Sequence, residues 1–184
     1  METELHFPIE PKPELENKLV KAVRYVYEFI NSKDFVKTMC KHEFQGSECF
    51  ADTADNNVRV ASKVVDATRT HFNISFFTSR KRILGYAHGD ELFFNETIVG
   101  DPDYLIGDLA ANIAHEIAHK AGYSHCMDNH WTWAYTVPYA LGLMVKEKVN
   151  KEEGRLNLIE VDSIGLNHMS KLRYYVYRFL YSGN

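Results

Sequence analysis

His115-Glu116-Ile117-Ala118-His119-Lys120-Ala121-Gly122-Tyr123-Ser124-His125 sets three imidazoles and a carboxylate where a helix and its ending can converge on one metal ion. Residues four apart on an α-helix share a face, with Cβ atoms about 5–6 Å apart, so His115 and His119 can both reach one ion at about 2.0–2.1 Å. Gly122 supplies the left-handed backbone that ends a helix and turns the chain, which lets His125 swing back as a third ligand. Three protein nitrogens leave the fourth tetrahedral position of a zinc ion open. That is the pattern of a catalytic site rather than a structural one, and a water held there has its pKa lowered toward about 7. Glu116, about a third of a turn from the first ligand, is placed to take a proton from that water. A helix with histidines on a polar face is the plainer reading of a lone His-Glu pair. The five fixed positions together set this stretch apart.

At these residues the chain resembles the metzincin clan of zinc endopeptidases, whose signature is HExxHxxGxxH, and every fixed position of that signature is filled. The resemblance implies ligand roles for His115, His119 and His125, a general-base role for Glu116, one catalytic Zn2+ and hydrolysis of a peptide or protein substrate. It also implies an α+β fold: a small twisted mixed sheet with an edge strand, packed on a zinc-binding active-site helix, followed by a mostly helical C-terminal part. Metzincins place a methionine in a tight turn beneath the metal, well downstream of the third histidine. Here Met127 is too close and Met144 falls in a helical run, while Thr136-Val137-Pro138-Tyr139-Ala140 occupies the expected place. This stretch is read as a Pro-containing turn that replaces the methionine turn, with Val137 and Pro138 lining the substrate cleft. Tyr139 is then either a group supporting the metal ligands or the developing oxyanion, or an ordinary wall aromatic.

Length and composition suit one small enzyme domain. The chain has 184 residues, of which 45% are hydrophobic, enough for one sizeable core and too few for two. A single domain over residues 1–184 is expected, with a sheet subdomain to about residue 122 and a short C-terminal part after it. A formal charge of -4 and a pI near 6.1 give no basic footprint for nucleic acid, and a monomer is expected. No apolar run approaches the roughly 18–20 residues of a membrane span, and residues 1–13 are polar and proline-bearing rather than signal-like. A soluble chain is expected, and only the resemblance suggests a secreted or periplasmic setting. Cys40, Cys49 and Cys126 are too few for a disulfide framework. Cys40 and Cys49 read either as a bridge or as a pair of buried thiols.

Leu15, Leu19, Val23, Val26 and Ile30 recur at helical spacing and predict a helix over about residues 14–31. Residues 35–51 are ambiguous, with a possible short helix followed by a strand near 48–51. Asp52, Asp55, Asn56 and Asn57 read as a loop and helix cap, and residues 58–69 as a helix packed on a sheet. Strand signals follow at 73–78, 83–88 and 91–97, the last two joined by Gly89-Asp90. Helices are expected over about 104–121, from about 137 to 149, and over about 162–181.

In metzincins an edge strand pairs with substrate through the backbone. Residues 83–88 are the candidate for it, which makes Gly85, Tyr86 and Ala87 substrate-binding positions; an interior or hairpin strand is the alternative. Asp128, His130, Trp131 and Trp133 either shield the metal or pack the loop. Two other functions remain open. One is a non-catalytic module that keeps the metal to hold a peptide or protein. The other is a zinc endoribonuclease with an HGxxHxxGxDH motif, whose second half Gly122, Tyr123 and His125 fit. Against it, Glu116 and Ser124 stand where that family has Gly and Asp, and the acidic balance offers no RNA surface.

Overall fold

A computed structural model of the protein describes residues 11–42, 55–70, 72–79, 83–124 and 136–154. The first helix, α1 (Pro13–Ile30), opens on a proline in its first turn, where the missing N–H leaves no bond unmade. Its buried face of Leu15, Leu19, Ala22, Val26, Phe29 and Ile30 follows the predicted spacing. Ser32 then caps α2 (Lys33–Lys41) by accepting from the Phe35 N–H at 3.1 Å, and Phe35 packs edge-on against Phe29. The ambiguous stretch therefore begins as a helix; its later part lies outside the described residues. Cys40, one of two thiols read as buried or bridged, is exposed on α2, because only Phe35 and Met39 of this short helix face the core. Asn56 caps α3 (Asn57–Thr68) by accepting from the Arg59 N–H at 3.0 Å.

Three strands follow: β1 (Asn73–Phe77), β2 (Gly85–His88) and β3 (Glu91–Asn95), in the spatial order β1-β3-β2. β1 pairs parallel to β3, and β2 pairs antiparallel to β3. The sheet is mixed, and β2 is one of its edges. Gly89, at φ 59, makes the tight turn between β2 and β3. The third strand stops two residues earlier than its apolar pattern suggests. Asn95 accepts from the Thr97 N–H at 3.2 Å and starts the short helix α4 (Glu96–Val99), while its amide donates to the Ser79 and Ile83 carbonyls. An asparagine that captures a backbone N–H two residues on competes directly with the strand ladder.

The long helix α5 (Ile106–Lys120) is buried along almost its whole length, from Gly107 to Ala118. It lies in one core with α1, α3 and α6 (Val137–Glu152). α5 and α6 approach closely because glycines sit at the crossing: Gly107 faces Asn150, and a Cβ at Gly142 would stand 2.9 Å from the Ala111 carbonyl oxygen. Outside the core, Lys146 pairs with Asp108, and the Tyr25 hydroxyl donates to Glu153 at 2.5 Å. The helix expected over about 137–149 is α6, and residues 136–140, also read as a Pro-containing turn, are its opening, with Thr136 at the N-cap and Pro138 in the first turn. The expected C-terminal helix over 162–181 and the strand signal near 48–51 lie outside the described residues.

Among the described residues no helix is long and apolar enough to cross a membrane. They form a mixed α+β fold with a small three-stranded sheet.

Candidate metal centre

α5 presents His115, Glu116 and His119 from successive turns. Asp108 in its first turn and Lys120 in its last complement the helix dipole, and its alanines keep the helix slim enough to be packed on several sides. The helix ends in a Schellman motif: the Gly122 N–H donates to the His119 carbonyl at 3.0 Å and the Tyr123 N–H to the Ala118 carbonyl at 3.1 Å. Gly122 holds φ at 92, as its place in the sequence requires. The turn brings the Tyr123 carbonyl back over the helix, where it meets His119 Nδ1 at 2.8 Å.

That contact decides the state of His119. A carbonyl only accepts, so Nδ1 carries the proton and Nε2 keeps its lone pair. This Nε2 lies 3.1 Å from His115 Nε2, and the two rings meet edge to face. Two nitrogens that share one zinc at about 2.0–2.1 Å in tetrahedral geometry stand about 3.3 Å apart, so the pair fits a common ion. Burial lowers the His119 pKa, opposed by its bond to Tyr123, which favours the neutral ring that a metal ligand must be.

Glu116 is 4% exposed, and one of its oxygens, Oε2, is buried with no hydrogen-bond partner among the described residues. Burial raises its pKa to about 7, partly offset by a hydrogen bond from the Ala87 backbone N–H. A buried carboxylate oxygen without a donor beside two convergent imidazoles suits a cation or a water.

The Ala87 contact also orients the edge strand over the site. The Asn95 N–H donates to the Leu84 carbonyl at 2.8 Å, so by the antiparallel alternation Leu84, Tyr86 and His88 spend their backbone groups on β3, and Gly85 and Ala87 turn theirs outward. The bond from Ala87 to Glu116 agrees with that phase. Tyr86 faces the other way, 45% exposed and stacked on Phe93 with ring centres 4.7 Å apart.

Tyr139, in the first turn of α6, sets its ring edge to face against His115, with centroids 4.6 Å apart. Burial, and then the charge of Glu116, push its pKa upward, so the hydroxyl stays protonated. Val137 and Pro138 are buried beside it, and Val137 belongs to the hydrophobic core.

The structure thus brings His115, Glu116, His119, Tyr139 and Ala87 together. His125, Cys126, Asp128, His130, Trp131 and Trp133 lie outside the described residues, among which no cluster of three or more His, Cys, Asp or Glu side chains forms a metal site. Sequence reasoning missed Asp55, treated as a loop residue. Its carboxylate receives the Tyr123 hydroxyl at 2.9 Å and pairs with Arg59 and Lys63.

No known family, curated protein or solved structure matches this chain.

Proposed function

We propose that the protein is a zinc-dependent endopeptidase of metzincin type. The observation that carries the reading is the 3.1 Å convergence of His115 and His119 Nε2 beside a buried carboxylate with a free oxygen. His115 and His119 would hold the ion, with His125, from the sequence motif, as the third ligand. Bound zinc would supply Lewis-acid polarisation of the scissile carbonyl and acidify a water.

The remaining work falls to this chain's own groups. Glu116 accepts a proton from the attacking water and delivers it to the leaving amine, so that no amide anion is expelled. The outward backbone groups of Gly85 and the Ala87 carbonyl pair with an extended peptide, while the Ala87 N–H stays on Glu116, so that the scissile bond lies beside that carboxylate. Tyr139 borders the ligand His115 and excludes water from its buried side.

Zinc content and a peptide-library digest, measured with and without chelator for the wild type and for Glu116→Gln, test the proposal. One bound zinc, chelator-sensitive cleavage and a zinc-loaded but inactive Glu116→Gln are expected. A wild type that holds zinc and peptide without cutting would make the protein a binding module. Cleavage of structured RNA in a parallel assay, with peptides untouched, would make it a ribonuclease.

A further inference from the structure

Tyr123 spends every polar group it has. Its N–H donates to the Ala118 carbonyl at 3.1 Å, its carbonyl accepts from His119 Nδ1 at 2.8 Å, and its hydroxyl donates to Asp55 Oδ2 at 2.9 Å. The ring between them is 2% exposed, and the Lys63 ammonium lies 5.4 Å from its centre. Asp55, just before the α3 cap, is the far end of this arrangement. Its side chain is 4% exposed and is gripped by Lys63 Nζ at 2.6 Å and Arg59 Nε at 2.8 Å. The bond to Lys63 holds its carboxyl below the ordinary range, burial opposes this, and Tyr123 and Arg59 add to the lowering. Asp55 is therefore a fixed anion, and the tyrosine bonded to it is anchored at both ends.

We propose that Asp55 and Tyr123 are positioning residues for His119. The ion cluster on α3 immobilises the tyrosine that follows the Gly122 turn. The tyrosine's carbonyl in turn fixes the tautomer and angle of the imidazole, so that Nε2 faces His115. An imidazole whose second nitrogen is left without such a partner divides between two tautomers and two ring orientations, and only some of these offer a lone pair to an ion. The Asp55–Tyr123 bond spans 68 positions of sequence, so it couples the ligand to a helix outside the motif. This inference rests on His119 being a metal ligand, but its first consequence, the tautomer, is measurable without metal.

The experiment uses the full chain with 15N-labelled histidine. The His119 signals are assigned against His119→Gln, and zinc dissociation constants are measured for wild type, Tyr123→Phe, Asp55→Asn and Asp55→Ala. The metal-free wild type should show His119 protonated on Nδ1. Tyr123→Phe, which keeps the ring and loses only the hydroxyl, should populate the other tautomer and weaken zinc binding about tenfold or more. Asp55→Asn, which still offers an oxygen acceptor, should fall between the wild type and Asp55→Ala.

A purely structural role for Asp55 would lower thermal stability and leave the nitrogen shifts and zinc affinity where they were; that result in Tyr123→Phe overturns the proposal. If Asp55→Ala fails to fold, Tyr123→Phe and Asp55→Asn decide alone. If the wild type takes up no zinc, the metalloenzyme reading fails, while the tautomer comparison still decides whether Asp55 and Tyr123 position the ring.

Discussion

The ring of Tyr139 abuts that of His115 edge to face, at 4.6 Å between centroids and 78° between planes. An aromatic pair of this kind contributes about 0.5–1.5 kcal/mol beyond its buried area, so α6 steadies the first imidazole by packing alone. Whether the hydroxyl adds chemistry is separable. Tyr139→Phe keeps the ring contact and should keep zinc affinity, but should cut turnover by about tenfold or more if the phenol donates to the developing oxyanion. Steady-state kinetics on a cleaved peptide decide this, and an unchanged turnover number leaves Tyr139 a packing residue.

Glu116 makes the metal-free protein sensitive to pH in an unusual direction. The unfolded chain releases this proton near 4.5 and the folded chain near 7. Between those values the native state binds more protons, so stability falls as pH rises through the window and levels off above it. Glu116→Gln removes the penalty. Chelator-treated Glu116→Gln should be more stable than wild type by up to about 3 kcal/mol above pH 7, and equal to it below pH 4. Urea titrations at several pH values measure the gap; a constant difference across the range would contradict the assignment.

Gly122 adopts φ 92 within the Schellman turn, a conformation that costs an L-residue about 1–2 kcal/mol. Gly122→Ala should lose about that much stability and, by shifting the Tyr123 carbonyl, weaken zinc binding as well. Thermal melts and zinc titrations on the same preparation test both parts.

The α5–α6 crossing depends on Gly142, where an added Cβ would meet the Ala111 carbonyl oxygen at 2.9 Å. Backbone cannot yield as a side chain can, so Gly142→Ala should destabilise the protein by about 1–3 kcal/mol. Any gain in intrinsic helix propensity is smaller, about 1 kcal/mol. An unchanged denaturation midpoint would mean that the helices separate freely here.

Chelation should abolish cleavage and leave the fold standing. α5 is enclosed by α1, α3 and α6 in a common core, so its helicity does not wait for the ion, unlike that of a zinc finger. Far-UV circular dichroism with and without chelator should coincide, and the melting temperature alone should drop. Collapse of the helical signal on chelation would contradict this.

Much of this architecture is legible in the sequence, for identifiable reasons. Leu15, Leu19, Val26 and Ile30 mark α1, and Val60 and Val64 mark α3, because long amphipathic helices repeat their pattern. α2 offers only Phe35 and Met39 to the core, too few for a period to emerge. The four residues of α4 read as the end of a strand until the Asn95 side chain is seen to take the Thr97 N–H. Strand order was not legible either: β1 and β3 pair directly in parallel, and β2, which lies between them in sequence, sits at the edge; three short apolar segments look alike whichever lies in the middle. At the site, His115, Glu116, His119 and Gly122 announce themselves by spacing along one helix. Asp55 does not, because its partner Tyr123 is distant in sequence and the carboxylate's burial arises only when α3 docks on α5.

The strand order also has a bearing on synthesis. Since β1 and β2 both pair with β3 and not with each other, a nascent chain that has emerged only as far as β2 can close neither of the two ladders found among the described residues. The apolar side chains of β1 and β2 wait for their partner until β3 clears the ribosome. That interval is when a chaperone, or a neighbouring chain with a bare strand of its own, has access to them.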